Sequence, residues 1–232
     1  MGTILANQST RVDLRDQSVR ELNQALHRAA PGSAWEVAHP DGRHAIAVGL
    51  TEPISVRISG PVGYFAAGMN EQATVEIAGN AGVGVAENMM SGRVHVTGSA
   101  SQSAGATAHG GLLVIDGDAA ARCGISMKGV DIVVGGNVGH MSAFMAQAGA
   151  LVVCGNAGDG LGDSIYEAHI YVQGNVGALG ADCVEKQMRP EHLEELAGLL
   201  AAAGRSERPD QFRRYGSARQ LYNFHVDNAF AY

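Results

Sequence analysis

Nowhere does this sequence hold an apolar run approaching the roughly 20 residues that cross a bilayer as a helix. Its start, MGTILANQSTRVDLRDQ, has no basic segment leading into an apolar one. Neither a membrane span nor a secretory signal peptide is expected. Cysteine is scarce. Cys123, Cys154 and Cys183 are the only three, an odd number that cannot all pair, which suits a reducing cytosol. Proline is limited to 6 residues, which excludes a collagen-like chain or a Pro-rich linker. Aromatic residues make up 5% and charged residues 17%, and the formal charge is −7. That excess of acid disfavours nucleic acid or an anionic lipid surface as partner. With 46% hydrophobic residues the chain can still bury a substantial core, so disorder is not expected either.

Glycine is in excess, at 32 of 232 residues, about twice its usual share of roughly 7%. Its placement is periodic. Gly60, Gly79, Gly98, Gly117, Gly136, Gly155 and Gly174 each end a short apolar strand and open a turn, at intervals of 19 residues without insertion. The next residue is Asn, Asp or Ser in six of the seven copies. These types tolerate left-handed angles and bond their own turn backbone. Four and two residues before each glycine lie Val56/Ile58, Val75/Ile77, Val94/Val96, Leu113/Ile115, Ile132/Val134, Leu151/Val153 and Ile170/Val172. Alternate strand positions share a face, so these pairs point inward. Seven residues after each glycine the side chain is always small: Ala67, Ala86, Gly105, Gly124, Ala143, Gly162 and Ala181. We read this as a crowded corner.

A period of 19 is too short for a βαβ unit, which takes about 30 residues or more. It suits one turn of a solenoid. The fold expected is all-β: a single-stranded right-handed parallel β-helix of about seven coils, with strands roughly 4.8 Å apart and the crossover hand that parallel connections adopt. Bacterial hexapeptide solenoids do not match, since three six-residue units make coils of about 18 residues. The outward position three before the glycine reads Arg57, Glu76, His95, Val114, Val133, Val152 and Tyr171. Three stacked valines want a cover, from a terminal segment of this chain or from a partner.

The flanks divide the chain into residues 1–50, with a helix and leading strands; residues 51–185, the β-helix; and residues 186–232, with a helix and a tail. Ser18 and Glu21 form a capping-box pattern ahead of Val19, Leu22 and Leu26, which predicts a helix over 18–29. Pro190 opens a second helix carrying Leu193, Leu196 and Leu200, with Gly204 past its end. Such helices cap solenoid ends or cover the valines. The segment Phe212–Tyr232 is rich in aromatics, which are enriched in interface hot spots. It is expected to dock on another protein through Tyr215, Tyr222, Phe224 and His225.

No catalytic, cofactor-binding or metal-binding residue emerges from this chain. Gly155-Asn-Ala-Gly-Asp-Gly-Leu-Gly162 looks like a nucleotide-binding loop, but that chemistry needs a helix directly after it, and the next apolar strand arrives at Ile170 in register. The cysteines occupy different positions of the coil, whereas ligands of one metal or cluster must converge. His95, His109, His140 and His169 likewise fall at four different repeat positions, without His-x-x-x-His spacing. Gly-x-Ser-x-Gly is absent. Asp116, Asp118 and Asp131 sit near corners, where carboxylates are ordinary turn residues.

The runs Gly79-Asn-Ala-Gly-Val-Gly, Gly136-Asn-Val-Gly, Gly155-Asn-Ala-Gly-Asp-Gly-Leu-Gly and Met127-Lys-Gly resemble the glycine-repeat (GXGXG) β-helix domain of the glutamate synthase large subunit. Ala86-Glu-Asn-Met-Met-Ser-Gly-Arg-Val, Ser101-Gln-Ser-Ala-Gly-Ala-Thr-Ala-His-Gly-Gly and Tyr215-Gly-Ser-Ala-Arg-Gln-Leu-Tyr-Asn-Phe-His are closer to its stand-alone relatives. Those are the β-helix subunit (the B subunit) of N-methylglutamate synthase, also called methylamine–glutamate N-methyltransferase, and the GlxC-type proteins. The resemblance covers nearly the whole chain. It implies a cytoplasmic, non-catalytic scaffold between an amidotransferase-like subunit and an FMN- and iron–sulfur-containing synthase subunit, shaping the path of ammonia or methylamine. Cofactors belong to that partner. No nucleophilic cysteine follows Met1 and no cysteine cluster is present, so this chain is neither of those partners. The repeat also resembles the β-helix component of formylmethanofuran dehydrogenase and of formyltransferase–hydrolase complexes, and a free-standing solenoid that binds other molecules is a third reading. From the first reading, the chain purified alone is expected to bind no flavin and to transfer no amine. A flavin absorbance spectrum, or turnover by the isolated chain, would contradict it.

Overall fold

In the computed structural model, which describes residues 9–219, the apolar strands of the repeat lie directly over one another. They are β3 (Ser55–Ser59), β4 (Thr74–Ile77), β5 (Arg93–Val96), β6 (Leu112–Ile115), β7 (Lys128–Val134), β8 (Ala148–Val153) and β9 (His169–Val172). Every pairing among them is parallel, and the inward residues step by one repeat: Val56 meets Val75, Val94 meets Leu113, Ile132 meets Leu151, Leu151 meets Ile170. One irregularity falls at the start of β7, where Lys128 pairs with Ala148 and the register shifts before Asp131. Two longer coils come first, from β1 (Thr10–Asp13) and β2 (Ala34–Ala38), stepping from Val12 to Val37 and from Val37 to Ile58. The architecture is thus a β-solenoid of parallel strands with two short helices. All fourteen inward Val, Ile and Leu side chains are at most 2% exposed. At roughly 1.5–3 kcal/mol for each fully buried aliphatic side chain, this column is the main source of stability.

The turn-opening glycines are needed for a reason other than turn angles. Only Gly60 has a positive φ, 145°. At the others the coil before leaves no room. Gly98, Gly117, Gly136, Gly155 and Gly174 each donate N–H to the carbonyl of the glycine one coil back, at 2.9 to 3.1 Å. A Cβ on Gly155 would stand 2.6 Å from the Gly136 oxygen, and one on Gly79 2.8 Å from the Pro61 nitrogen. The following residue also departs from expectation. None of Asn80, Ser99, Asp118, Asn137, Asn156 and Asn175 has a positive φ. Side chains in this row bond the next coil instead of their own turn. Asn80 Oδ1 accepts from the Ser99 N–H at 2.9 Å, Asp118 Oδ1 from Asn137 at 2.6 Å, and Asn137 Oδ1 from Asn156 at 2.9 Å. Parallel stacking sets each short polar side chain beside the amide one coil on, so the row becomes a ladder.

Left-handed backbone is concentrated five, seven and nine residues after the glycine. One coil has Phe65, Ala67 and Met69 there; the next ones have Gly84, Ala86 and Asn88, then Ser103, Gly105 and Thr107, and so on to Gly160, Gly162 and Ser164. The seventh position is small because it combines positive φ with an inward direction. Ala67, Ala86 and Ala143 are wholly buried, and a Cβ on Gly105 would lie 2.6 Å from Ile132 Cδ1. In the last copy this fails: Ala181 is exposed, and the left-handed residue is Asp182.

Both ends of the coil are finished by the chain itself. Helix α1 (Val19–Leu26), shorter than the predicted 18–29, starts on the expected capping box, with Ser18 N donating to Glu21 Oε2 at 2.8 Å and Glu21 N to Ser18 Oγ at 3.2 Å. It buries Leu22 and Leu26. Its Asn23 donates to the Ala45 carbonyl at 2.8 Å and accepts from the Ala47 N–H at 2.9 Å. At the other end β10 (Cys183–Lys186) does not pair with β9. Strand β11 (Arg213–Ser217) inserts between them, antiparallel to both.

Replacing Gly155 by Ala or Gly105 by Val is expected to cost on the order of 2–3 kcal/mol, through backbone collision in the first case and overpacking with left-handed strain in the second. Gly198→Ala, on an open helix face with nothing within 4 Å of the new Cβ, should instead stabilise by about 0.5–1 kcal/mol. Chemical denaturation of the three variants checks the order. A Gly155→Ala protein as stable as the parent would remove the close-approach explanation.

Candidate docking surfaces

The outward face of the sheet is covered over half its length. Helix α2 (Pro190–Ala202) lays Leu196 and Leu200 on Val114, Val133, Ala150, Val152 and Tyr171, with Ala203 and Phe212 closing the far side. The valine stripe is therefore covered by a terminal segment of this chain. Of the three predicted helix leucines, Leu193 stays at the edge, half-buried. The uncovered half carries Arg57, Glu76 and His95, and the ion pair Arg57–Glu76 links neighbouring coils at 2.5 Å. Arg93 ties the helix end to this half by donating to the Ala202 carbonyl at 2.7 Å.

Under α2 lies a cluster that resembles catalytic machinery. His169 Nδ1 is 2.8 Å from Glu195 Oε2, and the Tyr171 hydroxyl donates to the same oxygen. The ring of His192 stands 5.5 Å from that of His169. Burial pushes Glu195 up, but the bonds from Tyr171 and His169 outweigh it and the carboxyl ends below its ordinary range. Burial, and then the Glu195 acceptor, hold the Tyr171 proton far above the ordinary phenol range. Burial and then Arg214 push His192 down. Burial raises Asp131, whose Oδ1 accepts from the Ala150 N–H at 3.1 Å. Charged Glu195 holding a neutral tyrosine and the His169 imidazole acts as a clamp between helix and sheet.

The remaining candidates stay apart. Cys123 and Cys183 lie in the inward core and Cys154 in the outward cluster. All three are free thiols, and burial pushes them up to about 12 for Cys123 and about 11 for the other two. They are poor nucleophiles. His95 pairs with Asp116 at 2.9 Å and His39 with Asp13 at 3.1 Å. Among the described residues no three His, Cys, Asp or Glu side chains gather closely enough to hold a metal ion. None of the described helices is long and apolar enough to cross a membrane.

Of the predicted docking residues, Tyr222, Phe224 and His225 lie outside the described residues. Tyr215 is a correction. It is 2% exposed and packs in the inward core from β11, which continues the sheet where the repeat ends. A ring so placed closes the coil and cannot meet a partner. Its aromatic neighbour Phe212 is likewise buried, against α2.

A surface that the sequence reading missed lies on the left-handed segments. Phe65 and Met69 are 47% and 54% exposed, beside Tyr64 at 50%, with Met90 of the next coil at 46%. Val48, Phe65, Gly68 and Met69 line a groove of about 240 Å³. Four coils on, the same positions carry Met141 and Met145, with Tyr166 on the coil after. Met145 and Tyr166 are each 39% exposed. Between these clusters the same rows hold Gly84, Asn88, Ser103, Thr107, Arg122 and Ser126. Left-handed backbone costs a bulky residue roughly 1–3 kcal/mol, and an exposed side chain recovers little of that by burial. Phe65 and Met69 in one cluster, and Met141 and Met145 in the other about 19 Å away at four strand spacings, are thus placed against the local preference of the chain. The signal available in the sequence was the occurrence of Phe and Met at positions where other coils carry Gly, Asn or Ser.

No family model matches the chain. It is similar to the protein named GlxC of Rhizobium meliloti (strain 1021), with 61% identity over 225 residues that span 95% of this chain and 99% of the relative.

Replacing Phe212 or Tyr215 by Ala empties a site in one of the two cores and should cost about 3–5 kcal/mol in each case. Differential scanning calorimetry of the two variants checks this. A Tyr215→Ala protein as stable as the parent would show that the ring is dispensable to the coil and free for docking.

Proposed function

This chain belongs to the GlxC family, and on that footing we propose that it is a non-catalytic scaffold within a glutamate-synthase-like complex of the N-methylglutamate synthase type. In this reading it bridges an amidotransferase-like subunit and an FMN- and iron–sulfur-containing subunit, and the complex makes N-methylglutamate from glutamate and methylamine. The observation that carries the bridging role is the pair of apolar clusters, Phe65/Met69/Met90 and Met141/Met145/Tyr166, on one face of a stiff coil. Exposed apolar patches of this kind mark protein contacts. Two of them, separated by coils with small or polar side chains in the same rows, suit two different partners. The FMN and the iron–sulfur cluster belong to a partner in this reading.

The interior column is filled by aliphatic side chains with almost no exposure. The path that ammonia or methylamine follows between partner active sites therefore runs along the coil surface, between the scaffold and its partners. A rigid coil of regular rise fixes the distance between the partners and keeps that path short and shielded from water.

Asn tolerates left-handed backbone, so Phe65→Asn with Met69→Asn, and Met141→Asn with Met145→Asn, should fold at least as well as the parent. Each double variant is expected to lose a different partner. Loss of a hot spot worth about 2 kcal/mol lowers affinity roughly thirtyfold. Co-expression with the two partner proteins, followed by affinity purification and quantitative mass spectrometry, reads this directly. Retention of both partners by both variants would overturn the bridging role.

A further inference from the structure

Positive charge gathers at the C-terminal end of the coil. A cleft of about 380 Å³ opens between the start of β9, the end of β10, the start of α2 and β11. Four of the chain's sixteen Lys and Arg residues line it, in a protein of net charge −7. They are Lys186, Arg189, Arg214 and Arg219, with His169 on the wall. A merely solvated face would mix the signs; here Glu167 is the one carboxylate in the lining.

Two features of the cleft are unfavourable for the chain by itself, and a third has no reason in the packing. Lys186 stands directly opposite Arg214 in the antiparallel ladder of β10 and β11, and like charges so placed destabilise the pair. Among the described residues neither makes an ion pair, and Arg214 spends only its Nε, on the Gln187 carbonyl at 3.3 Å. Arg189 is the N-cap of α2, where the helix already presents positive partial charge, and its side chain caps nothing. Its nearest carboxylate, on Glu191, is 3.8 Å away. Gly216 is buried on the floor, yet neither its φ nor its packing demands glycine. An added Cβ would meet only the Lys186 stem, at 3.7 and 4.0 Å, and the Ala168 carbonyl at 3.9 Å. At the rim the Arg219 guanidinium is held on Asp182 Oδ2, at 2.9 and 2.6 Å.

One occupant would offset both charge features and give the space over Gly216 a use. We propose that this cleft binds a small, multiply charged oxyanion, a dicarboxylate or a phosphate group, placed between Lys186 and Arg214 and facing Arg189 at the helix N-terminus. Guanidinium forks bind carboxylate and phosphate oxygens in pairs. The volume suits a small metabolite, and the open Gly216 floor admits it. The cleft borders the second apolar cluster, since Tyr166 lines it and the Arg219 guanidinium lies 5.7 Å over the Tyr166 ring, but anion binding there does not depend on the scaffold reading.

Isothermal titration calorimetry of the full chain at low ionic strength tests it, with glutarate, inorganic phosphate and acetate as probes. Glutarate or phosphate should bind saturably and at least tenfold more tightly than acetate, by about 1.4 kcal/mol. Whichever of the two binds tells a dicarboxylate ligand from a phosphorylated one. Lys186→Gln with Arg214→Gln should weaken that binding at least tenfold, whereas Lys128→Gln, an exposed charge elsewhere, should not. Melting curves supply an independent readout. Without anion the double variant should melt above the parent, because the repulsion is gone; with saturating anion the order should reverse. The proposal is overturned if neither dianion outbinds acetate, if the double variant binds as well as the parent, or if the parent melts above the double variant in the absence of anion.

Discussion

Everything in this molecule depends on how closely one coil can sit on the next. The glycine row is the point of closest approach, where N–H groups reach the carbonyl of the glycine one repeat earlier and a single Cβ would collide with backbone. That contact fixes the rise, and a fixed rise keeps the inward Val, Ile and Leu column in register without a gap. It also puts each Asn or Asp within reach of the amide one coil on. The repeat is kept at 19 residues throughout the seven copies because an insertion would shift all three rows together.

A regular coil creates two difficulties, and each is met by sequence outside the repeat. Its open start exposes unpaired backbone, and Asn23 of α1 takes up a carbonyl and an amide there at once. Its outward face becomes apolar where the valines stack, and α2 covers that half. The Glu195 clamp explains why the cover stays in place. Lifting the helix away would break both bonds to the Glu195 carboxylate, from Tyr171 and from His169, at once. This clustering of His, Tyr and Glu bridges helix and sheet, from the buried Tyr171 to the partly exposed His169 and Glu195, and holds the two layers together.

Function in such a solenoid lies in what departs from the repeat. Polar and tiny residues fill the left-handed rows over most of the length, in agreement with backbone preference. Phe65 and Met69 replace them at one place and Met141 and Met145 at another, and Phe65, Met69 and Met145 stay exposed. Local preference and global fold conflict there, and such conflicts mark sites better than composition does. The cationic cleft obeys the same logic in charge, since Lys186 facing Arg214 is a pairing that a strand ladder avoids.

The coil was legible from the residues alone. Period, inward pairs, parallel stacking, the capping box at Ser18 and the helix from Pro190 are all local patterns, repeated often enough to leave one architecture. The stacked Val114, Val133 and Val152 also called for a cover, though which element would supply it could not be read. Why the glycines are glycines emerged only on folding, because the colliding atoms lie one full coil away. The same holds for the C-terminal aromatics. Nothing near Tyr215 in the sequence reveals that β11 reverses direction and closes the sheet between β9 and β10, so a ring that reads as a docking residue becomes core. Side-chain periodicity travels along the chain and can be read there; contacts between segments distant in sequence exist only once the chain has folded back on itself.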